Sequence, residues 1–372
     1  MEDRVQHDVE TPWLFDLARR KAEESAAACA VLAKALSSSA DYTLPDRHRS
    51  ALNTILRTLV EEIAASIRDQ VVLAAERLGN VSAAIPDEFF QYRDGALMEE
   101  LVRNGLYDSH ALIEAAAHRL CQDQLERAQR QKREQDDSKS DSLTDILLLE
   151  PPSQVANVLN RYQAQKSHYI DGFSNPVLPG IALDAPATGD LVWRVAAALR
   201  IIGTSERPTG TGQFDGLFDG LLDAAATAVA GSMDAPTNIA AEHLASALLQ
   251  EQHLGEDALI RFFRLGEALL AEAWIAAQAN LRPVLVRRFL YEAGGERFAV
   301  LARFIGLSSD GLSLIYRMTR PGGAGLFFPG GQDEGNPVAL FAQIDTADAC
   351  RMVQYWSLSP EYQSALTALT QD

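Results

Sequence analysis

Residues 255–318 read GEDALIRFFRLGEALLAEAWIAAQANLRPVLVRRFLYEAGGERFAVLARFIGLSSDGLSLIYRM. Apolar residues recur in this stretch at spacings of three and four, which is the period of one face of an α-helix. Glycine or proline interrupts the pattern at short intervals, so the stretch divides into several short amphipathic helices. Helix packing accounts for all of its apolar residues, and none of it resembles a reactive site. The stretch therefore predicts an all-α protein with a C-terminal bundle of short helices.

A second helical pattern runs from Pro45 to Gly79, with no Pro or Gly between them. Its apolar residues also recur every three or four positions, Pro45 suits the first turn of a helix, and Gly79 suits a C-terminal stop. The pattern fits one long helix, or two helices with a tight bend near Glu61. Serial helices with few strand-like patterns predict an architecture of stacked helical hairpins.

Composition divides the chain into three parts. Residues 127–142 (RAQRQKREQDDSKSDS) hold no aliphatic residue larger than alanine, which is typical of a solvated helix end or a flexible linker. Residues 172–190 are rich in Gly and Pro and indicate an irregular connection. We therefore predict an N-terminal helical domain over 1–135, a linker with short helices over 136–190, and a C-terminal helical domain over 191–372.

The overall composition is that of a globular protein and disfavours several classes of function. The 372 residues are 47% apolar and 23% charged, with a net charge of −18. Nucleic acid is a poor partner for this charge, because phosphate binding needs clustered Lys and Arg. The longest apolar run, Leu191–Ile202, contains Arg194 and Arg200 and is shorter than the roughly 18–20 residues that cross a bilayer. The N-terminal sequence MEDRVQHDVETPW has no secretory signal, so we expect a cytoplasmic protein without membrane insertion.

The residue types that support catalysis or metal binding do not form a known constellation. Cys29, Cys121 and Cys350 lie far apart and provide neither a disulfide framework nor a CxxC metal pair. The seven histidines include no HExxH motif, and the Gly-rich stretches at Gly210–Gly212 and Pro321–Gly325 lack the Lys of a phosphate loop. We therefore expect no catalytic residues, no metal, no cofactor and no enzymatic activity.

Charge is unevenly distributed in the C-terminal half. Residues 204–257 are acidic with a single arginine, Arg207, whereas every cationic side chain of residues 261–320 is an arginine. The two blocks could face each other, because Arg forms fork-like contacts with carboxylates, or both could be solvated helix faces. Arg287 and Arg288 diverge by about 100° on a helix, so they cannot both enter the same core.

The candidate partner-binding residues combine this positive charge with aromatic side chains near the C-terminus. Tyr and Trp side chains can anchor a protein partner as well as fill a core. The candidate set is Arg287, Arg288, Arg297, Tyr355 and Trp356.

Residues 256–318 also resemble a known family. The matching pieces are Leu265–Glu267, AEAWIAAQANLRP (271–283) and VRRFLYEAGGERFAVLARFIGL (286–307). The Gly294–Gly295 pair and the helix stop at Gly306–Leu307 are the most specific of them, and a fair likeness covers about residues 45–130 and 183–318. They are similar to the bacterial family catalogued as domain of unknown function 2336, whose members occur mainly in alphaproteobacteria. The resemblance implies an all-helical fold. The family has no assigned activity, so the resemblance implies no site residue.

A further resemblance concerns the N-terminal part. Ala64–Asp69, followed by VVLAAERLG (71–79), looks like the second helix of a HEAT-type unit, which often carries an arginine such as Arg68 near its start. This resemblance implies that the stacked hairpins of the N-terminal part are HEAT-like.

These observations predict a non-catalytic helical-repeat protein that acts as a protein–protein interaction, scaffold or regulatory module. The expected partner is another protein, and a homo-oligomer is also compatible with the sequence. The alternative is a small-molecule-responsive regulator with a pocket between the helical halves, near Arg287, Arg288 and Tyr355. A broad charged groove would favour a protein partner, whereas a closed aromatic pocket would favour a ligand.

Overall fold

The computed structural model describes residues 12–37, 44–79, 85–93, 95–135, 143, 154–179, 183, 185–204, 212–233, 239–251, 255–320, 336–359 and 362–363. These residues contain α-helices and short 3₁₀ helices, and the only β-type pairing among them is an isolated antiparallel bridge between Ile170 and Pro176. The prediction of an all-α protein is confirmed.

The α-helices are, in chain order, α1 (Pro12–Ser37), α2 (Asp46–Arg77), α3 (Ala96–Arg103), α4 (His110–Gln135), α5 (Gln154–Lys166), α6 (Ala185–Thr204), α7 (Gly212–Met233), α8 (Ile239–Glu251), α9 (Glu256–Leu265), α10 (Ala268–Ala279), α11 (Pro283–Tyr291), α12 (Glu296–Phe304), α13 (Ser309–Met318), α14 (Pro337–Gln343) and α15 (Thr346–Ser357). The 3₁₀ helices are Asp87–Phe89, Leu106–Asp108 and Ser167–Tyr169.

The chain forms two compact units, each built from separate stretches of sequence. The first unit contains Met1–Cys29, Leu120–Gln165 and Asn238–Asp372, and the second contains Ala30–Arg119 and Lys166–Thr237. Compact units are not the same as stretches of sequence that fold independently. The three domains predicted from the sequence therefore stay a prediction.

Helix α2 is the helix of the second unit against which both α6 and α7 pack. It is one uninterrupted helix from Asp46 to Arg77, which selects the single-helix alternative over a bend near Glu61. Its apolar stripe is buried, and α6 and α7 pack against it and against each other. The chain leaves the helix at Gly79, whose φ of 87° lies in the left-handed region that glycine adopts without steric cost.

Helix α10 lies at the centre of the first unit. Its sequence, ALLAEAWIAAQA, is apolar around the whole circumference, and α8, α9 and α11 pack against it. A helix of this kind belongs in a core, and Trp274 is accordingly 2% exposed. Glu272 is the one charged residue of α10 and is 1% exposed. Such a carboxylate needs partners inside the protein.

The short helices after α10 pack in series. Helix α11 contacts α12, α12 contacts α14 and α15, and α9 contacts α13. The turn between α11 and α12 depends on Gly294 and Gly295, whose φ angles are 78° and 68°. The sequence pattern predicts a positive φ for one glycine of this pair. The structure confirms a positive φ and shows it at the second glycine as well.

Candidate functional site

Glu272 is the centre of a buried polar cluster in the first unit. Gln122 of α4 donates from Nε2 to both carboxylate oxygens, at 2.7 and 2.9 Å. Arg287 of α11 donates from Nε to Oε2 at 2.9 Å, and Tyr291 of the same helix donates its hydroxyl to Oε1 at 3.0 Å. These four residues, which we call the Glu272 cluster, connect α4, α10 and α11 through hydrogen bonds between side chains.

The hydrogen bonds of the Glu272 cluster occupy the carboxylate with donors from the protein itself. A carboxylate offers about four lone-pair positions to donors, and the donors of Gln122, Arg287 and Tyr291 make four contacts with it. A proton, metal or substrate would have to displace one of these donors. Burial raises the pKa of Tyr291 well above 10, and the charge of Glu272 adds to this effect. Tyr291 therefore remains a hydrogen-bond donor at neutral pH.

A second buried ion pair shapes the turn between α11 and α12. The Glu292 carboxylate accepts hydrogen bonds from the backbone N of Arg297, at 2.7 Å, and from its Nε. Arg320 of the chain after α13 donates from Nη2 to the backbone oxygen of Glu292. Burial raises the pKa of Glu292, although the Arg297 guanidinium opposes the rise. The contacts hold the Gly294–Gly295 turn from both sides.

Three of the five candidate partner-binding residues are buried in the first unit. Arg287 is 5% exposed, Arg297 4% and Trp356 6%. The structure brings Arg297 and Trp356 together at Phe289: the guanidinium lies 4.9 Å from the ring centre, and the two aromatic ring centres are 4.5 Å apart. Arg287 belongs instead to the Glu272 cluster. The other two candidates, Arg288 and Tyr355, are partly exposed, and the partner-binding role of the set stays a prediction.

Arg287 and Arg297 fit neither interpretation of the two charge blocks. They are not solvated, and their ion pairs are not with the acidic segment 204–257. Arg287 pairs with Glu272 and Arg297 pairs with Glu292, so both carboxylates come from the arginine-rich segment itself. From the acidic segment, Glu256 accepts hydrogen bonds from Ser308 at the start of α13, at 2.7 Å from N and 2.6 Å from Oγ. Sequence blocks of opposite sign therefore do not identify the partners of individual charges.

Cys121 of α4 also lies within this interior. It is 6% exposed, and burial raises the pKa of its thiol to about 12, so the thiol stays protonated at pH 8. Because the thiolate is the reactive form, we expect iodoacetamide to modify Cys121 only after unfolding. Half-buried Cys350 is the internal reference. Peptide mass spectrometry measures both, and native labelling of Cys121 as fast as that of Cys350 would contradict this burial.

The second unit presents a different kind of surface on α6. One side of this helix is buried against α2, α3, α7 and the 3₁₀ helix Asp87–Phe89. The opposite side carries Trp193, Ala197 and Ile201, all exposed, with Trp193 at 44% and Ile201 at 46%. Residues four apart follow one face of a helix, so these three form a continuous stripe, which we call the α6 face. Solvent-facing sides of helices ordinarily carry charged and polar residues.

Two arginines border the α6 face and are tied to their own unit. Arg194 forms an ion pair with Asp190 at 2.8 Å and donates to the backbone oxygen of Gly105 at 3.2 Å. Arg200 donates from Nη2 to Asp219 Oδ2 of α7 at 3.0 Å. The apolar stripe therefore has charged residues at its edge but none in its middle.

Sequence reasoning did not identify the Glu272 cluster or the α6 face, although each has a signal in the sequence. Glu272 is a lone charge in a helix that is otherwise apolar all round, which indicates a buried and paired carboxylate. The run Leu191–Ile202 is apolar on more than one side of a helix, which exceeds what one buried face requires. The donors Gln122 and Tyr291 have no such signal, because tertiary packing alone brings them to Glu272.

Within the described ranges, we looked for side-chain groups that could bind a metal and for helices that could span a membrane. No group of three or more His, Cys, Asp or Glu side chains in them could hold a metal ion. The helices described there also lack the combination of length and apolar character that a bilayer span requires.

Residues 170–354 match the family described as "Uncharacterised protein conserved in bacteria (DUF2336)". The resemblance of residues 256–318 and of the wider stretch 183–318 is thereby confirmed, whereas residues 45–130 lie outside the match. No curated protein and no solved structure matches the chain.

Proposed function

We propose that this chain, with its DUF2336 segment, is a non-catalytic helical protein that binds another protein through the α6 face. The observation that carries the proposal is the exposure of Trp193 and Ile201 on a helix whose other side is already buried. Burying a large apolar side chain contributes about 1.5–3 kcal/mol. Trp is among the residues that dominate binding energies in protein interfaces.

The geometry of the α6 face fits a helix of the partner. Trp193, Ala197 and Ile201 form an i, i+4, i+8 row, and such rows pack into the grooves of a neighbouring helix. The small side chain of Ala197 lies between the two large ones, which leaves room for an apolar side chain of the partner. Arg194 and Arg200 at the edge match the polar, Arg-containing border that is common in protein interfaces.

The absence of catalysis is part of the proposal and is supported by the Glu272 cluster. Its carboxylate, the most deeply buried one in the described part of the chain, is engaged by donors from Gln122, Arg287 and Tyr291. A general base needs a position within hydrogen-bond reach of the proton that it removes. The contacts of Glu272 fit a structural role better than proton transfer.

The finer architecture is likewise a proposal. HEAT-like stacked hairpins in the N-terminal part stay a prediction, because α6 and α7, which pack along α2, lie outside that part. A C-terminal bundle of short helices is supported by the serial contacts from α9 to α15. We also propose a cytoplasmic location, which agrees with the lack of a disulfide among the three cysteines. The alternative function, a small-molecule-responsive regulator, stays a prediction.

The proposal predicts that a double variant, Trp193→Ser with Ile201→Ser, loses its partner without losing its fold. Both side chains are already partly exposed, so the melting temperature should change by no more than about 2–4 °C. The amount of partner recovered by affinity purification of the tagged full-length chain should fall about tenfold or more, because each lost contact is worth over 1 kcal/mol.

The matched control is Val72→Ser with Leu73→Ser on α2, two apolar residues that are 37% and 42% exposed in the same unit. The control should bind the partner as the unaltered chain does. Equal recovery with the Trp193/Ile201 variant would refute the α6 face as the binding surface. Loss of self-association in sedimentation velocity, with no other protein recovered, would instead identify the partner as a second copy.

A further inference from the structure

A short hairpin in the second unit presents one aromatic side chain to solvent. Ile170 and Pro176 form the isolated antiparallel bridge, Val177 N donates to Tyr169 O at 2.9 Å, and Asp171 N donates to Asn175 O at 3.0 Å. The tip carries Phe173, whose exposed fraction is 89%. We call residues 169–177 the Phe173 hairpin.

The tip of the Phe173 hairpin is held by the side chain of Asp171. Its Oδ1 accepts from the backbone N of Phe173 at 2.8 Å and from that of Asn175 at 2.7 Å, and Oδ2 accepts from Asn175 Nδ2 at 2.9 Å. Hydrogen bonds from Asn175 lower the pKa of Asp171, so the carboxylate stays ionised and keeps these contacts at neutral pH. The turn closes through Ser174 N, which donates to Asp171 O at 3.0 Å.

The backbone of the tip is in a conformation that a side chain disfavours. Ser174 has φ of 63°, in the left-handed region where hairpins of this kind usually place glycine or asparagine. The chain nevertheless has glycine two residues earlier, at Gly172, where no positive φ occurs. The contacts of Asp171 with the backbone of Phe173, Ser174 and Asn175 hold the turn in this conformation.

Arg119 fixes the base of the Phe173 hairpin. It is 1% exposed and donates from Nη2 to Tyr169 O at 3.0 Å and from Nε to Val177 O at 3.1 Å. Its guanidinium also lies 5.5 Å from the centre of the Tyr169 ring. One buried cation therefore clamps both strands of the hairpin at its base.

We propose that Phe173 is an anchor that inserts into an apolar pocket of another protein, presented for this purpose by the Arg119-clamped hairpin. The inference rests on the proposed function and names a second contact for the same partner class. An aromatic side chain on a rigid support loses little conformational entropy on binding, and such anchors carry a large share of interface affinity. Gly172 and Ser174 beside it are small and exposed, so a pocket rim can close around the ring.

The charge of the chain favours a protein over a membrane as the occupant of this site. The net charge is −18, and Asp171 lies within two residues of Phe173. Anionic lipid surfaces attract segments with clustered Lys and Arg, and the tip from Asp171 to Asn175 has none. A pocket with a neutral or basic rim in a partner protein matches both the ring and the carboxylate. A second copy of this acidic chain would have to overcome like-charge repulsion.

Site-specific crosslinking of the full-length chain tests the anchor. The photoreactive residue p-benzoylphenylalanine replaces Phe173 in one version and Leu78 in the control version, because Leu78 is also an exposed apolar residue of the second unit, at 60%. In cells of the source organism, we expect a discrete adduct with a different protein from position 173 and none from position 78. An adduct with a second copy only, or flotation of the chain with phosphatidylglycerol vesicles, would overturn the proposal.

Substitutions give an independent readout with the same partner. Phe173→Ser should reduce recovery of the crosslinked protein about tenfold or more, whereas Phe173→Leu should retain it within about threefold, because leucine keeps most of the buried apolar area. Unchanged recovery with Phe173→Ser would overturn the anchor. If the Trp193/Ile201 double variant abolishes recovery while Phe173→Ser does not, only the anchor fails. If neither variant changes recovery, the proposed function fails as well.

Discussion

Replacing Arg287 by methionine is expected to lower the free energy of unfolding by about 3–5 kcal/mol, because it removes one partner of a buried ion pair. Arg287 Nε lies 2.9 Å from Glu272 Oε2, and the two side chains are 6% and 1% exposed. Methionine keeps much of the apolar stem but leaves the carboxylate without its counter-charge. Urea unfolding followed by circular dichroism measures the change as a shift of the midpoint at constant slope.

Arg261→Met is the matched control for this prediction. Arg261 is an exposed arginine of α9, so its removal should change stability by less than about 0.5 kcal/mol. The double variant Glu272→Gln with Arg287→Met removes both charges. It should be at least about 1 kcal/mol more stable than the sum of the single effects predicts, because the two residues are in contact. Additive effects, or equal effects of Arg261→Met and Arg287→Met, would contradict the buried pair.

Replacing Gly295 by alanine is expected to destabilise the protein by about 2–5 kcal/mol, the sum of two costs. The φ of Gly295 is 68°, and left-handed backbone costs a residue with a side chain about 1–2 kcal/mol. A Cβ at this position would also overlap the ring of Tyr316 on α13, with Cδ2 only 2.8 Å away, and overpacking costs about 1–3 kcal/mol. Thermal unfolding measures the combined loss, and valine should be worse than alanine.

Gly306→Ala separates the two costs. Gly306 has a similar φ of 76°, but a Cβ there would meet no atom within 4 Å. This variant should therefore lose only the backbone part, about 1–2 kcal/mol. In a Tyr316→Ala background, Gly295→Ala should cost no more than Gly306→Ala does in the unaltered chain. The steric argument is wrong if the two glycine variants melt together without the Tyr316 change.

Local sequence patterns were sufficient for the helical class, for the extent of α2 and for the turn at Gly294–Gly295. The three-and-four spacing from Pro45 to Gly79 corresponds to α2, and the Gly294–Gly295 pair marks a turn with positive φ at both residues. These features depend on the period of the backbone and on the conformational freedom of glycine, which act over a few neighbouring residues. For that reason, such features can be predicted from a short segment of sequence without the rest of the chain.

The same patterns did not locate the partners of the charged residues. Arg287 and Arg288 are adjacent, yet Arg287 is buried against Glu272 and Arg288 is partly exposed. Because they diverge by about 100° on the helix, only one of them can enter this core. The angle does not determine which of the two is buried. That choice depends on where Glu272 and Gln122 lie after the helices have packed, and Gln122 is 150 residues from Glu272 along the chain.

The sequence by itself determined that this protein is built from helices, where α2 runs, and where glycine turns separate the short helices of the C-terminal half. The tertiary structure alone decided that three residues from two other helices donate hydrogen bonds to the Glu272 carboxylate, and that Trp193 and Ile201 stay partly exposed. It also decided that Arg119 holds the two strands of the Phe173 hairpin. The reason is physical. Helical periodicity and glycine conformation are set by neighbours in the chain, whereas burial and ion pairing depend on which surfaces meet in space.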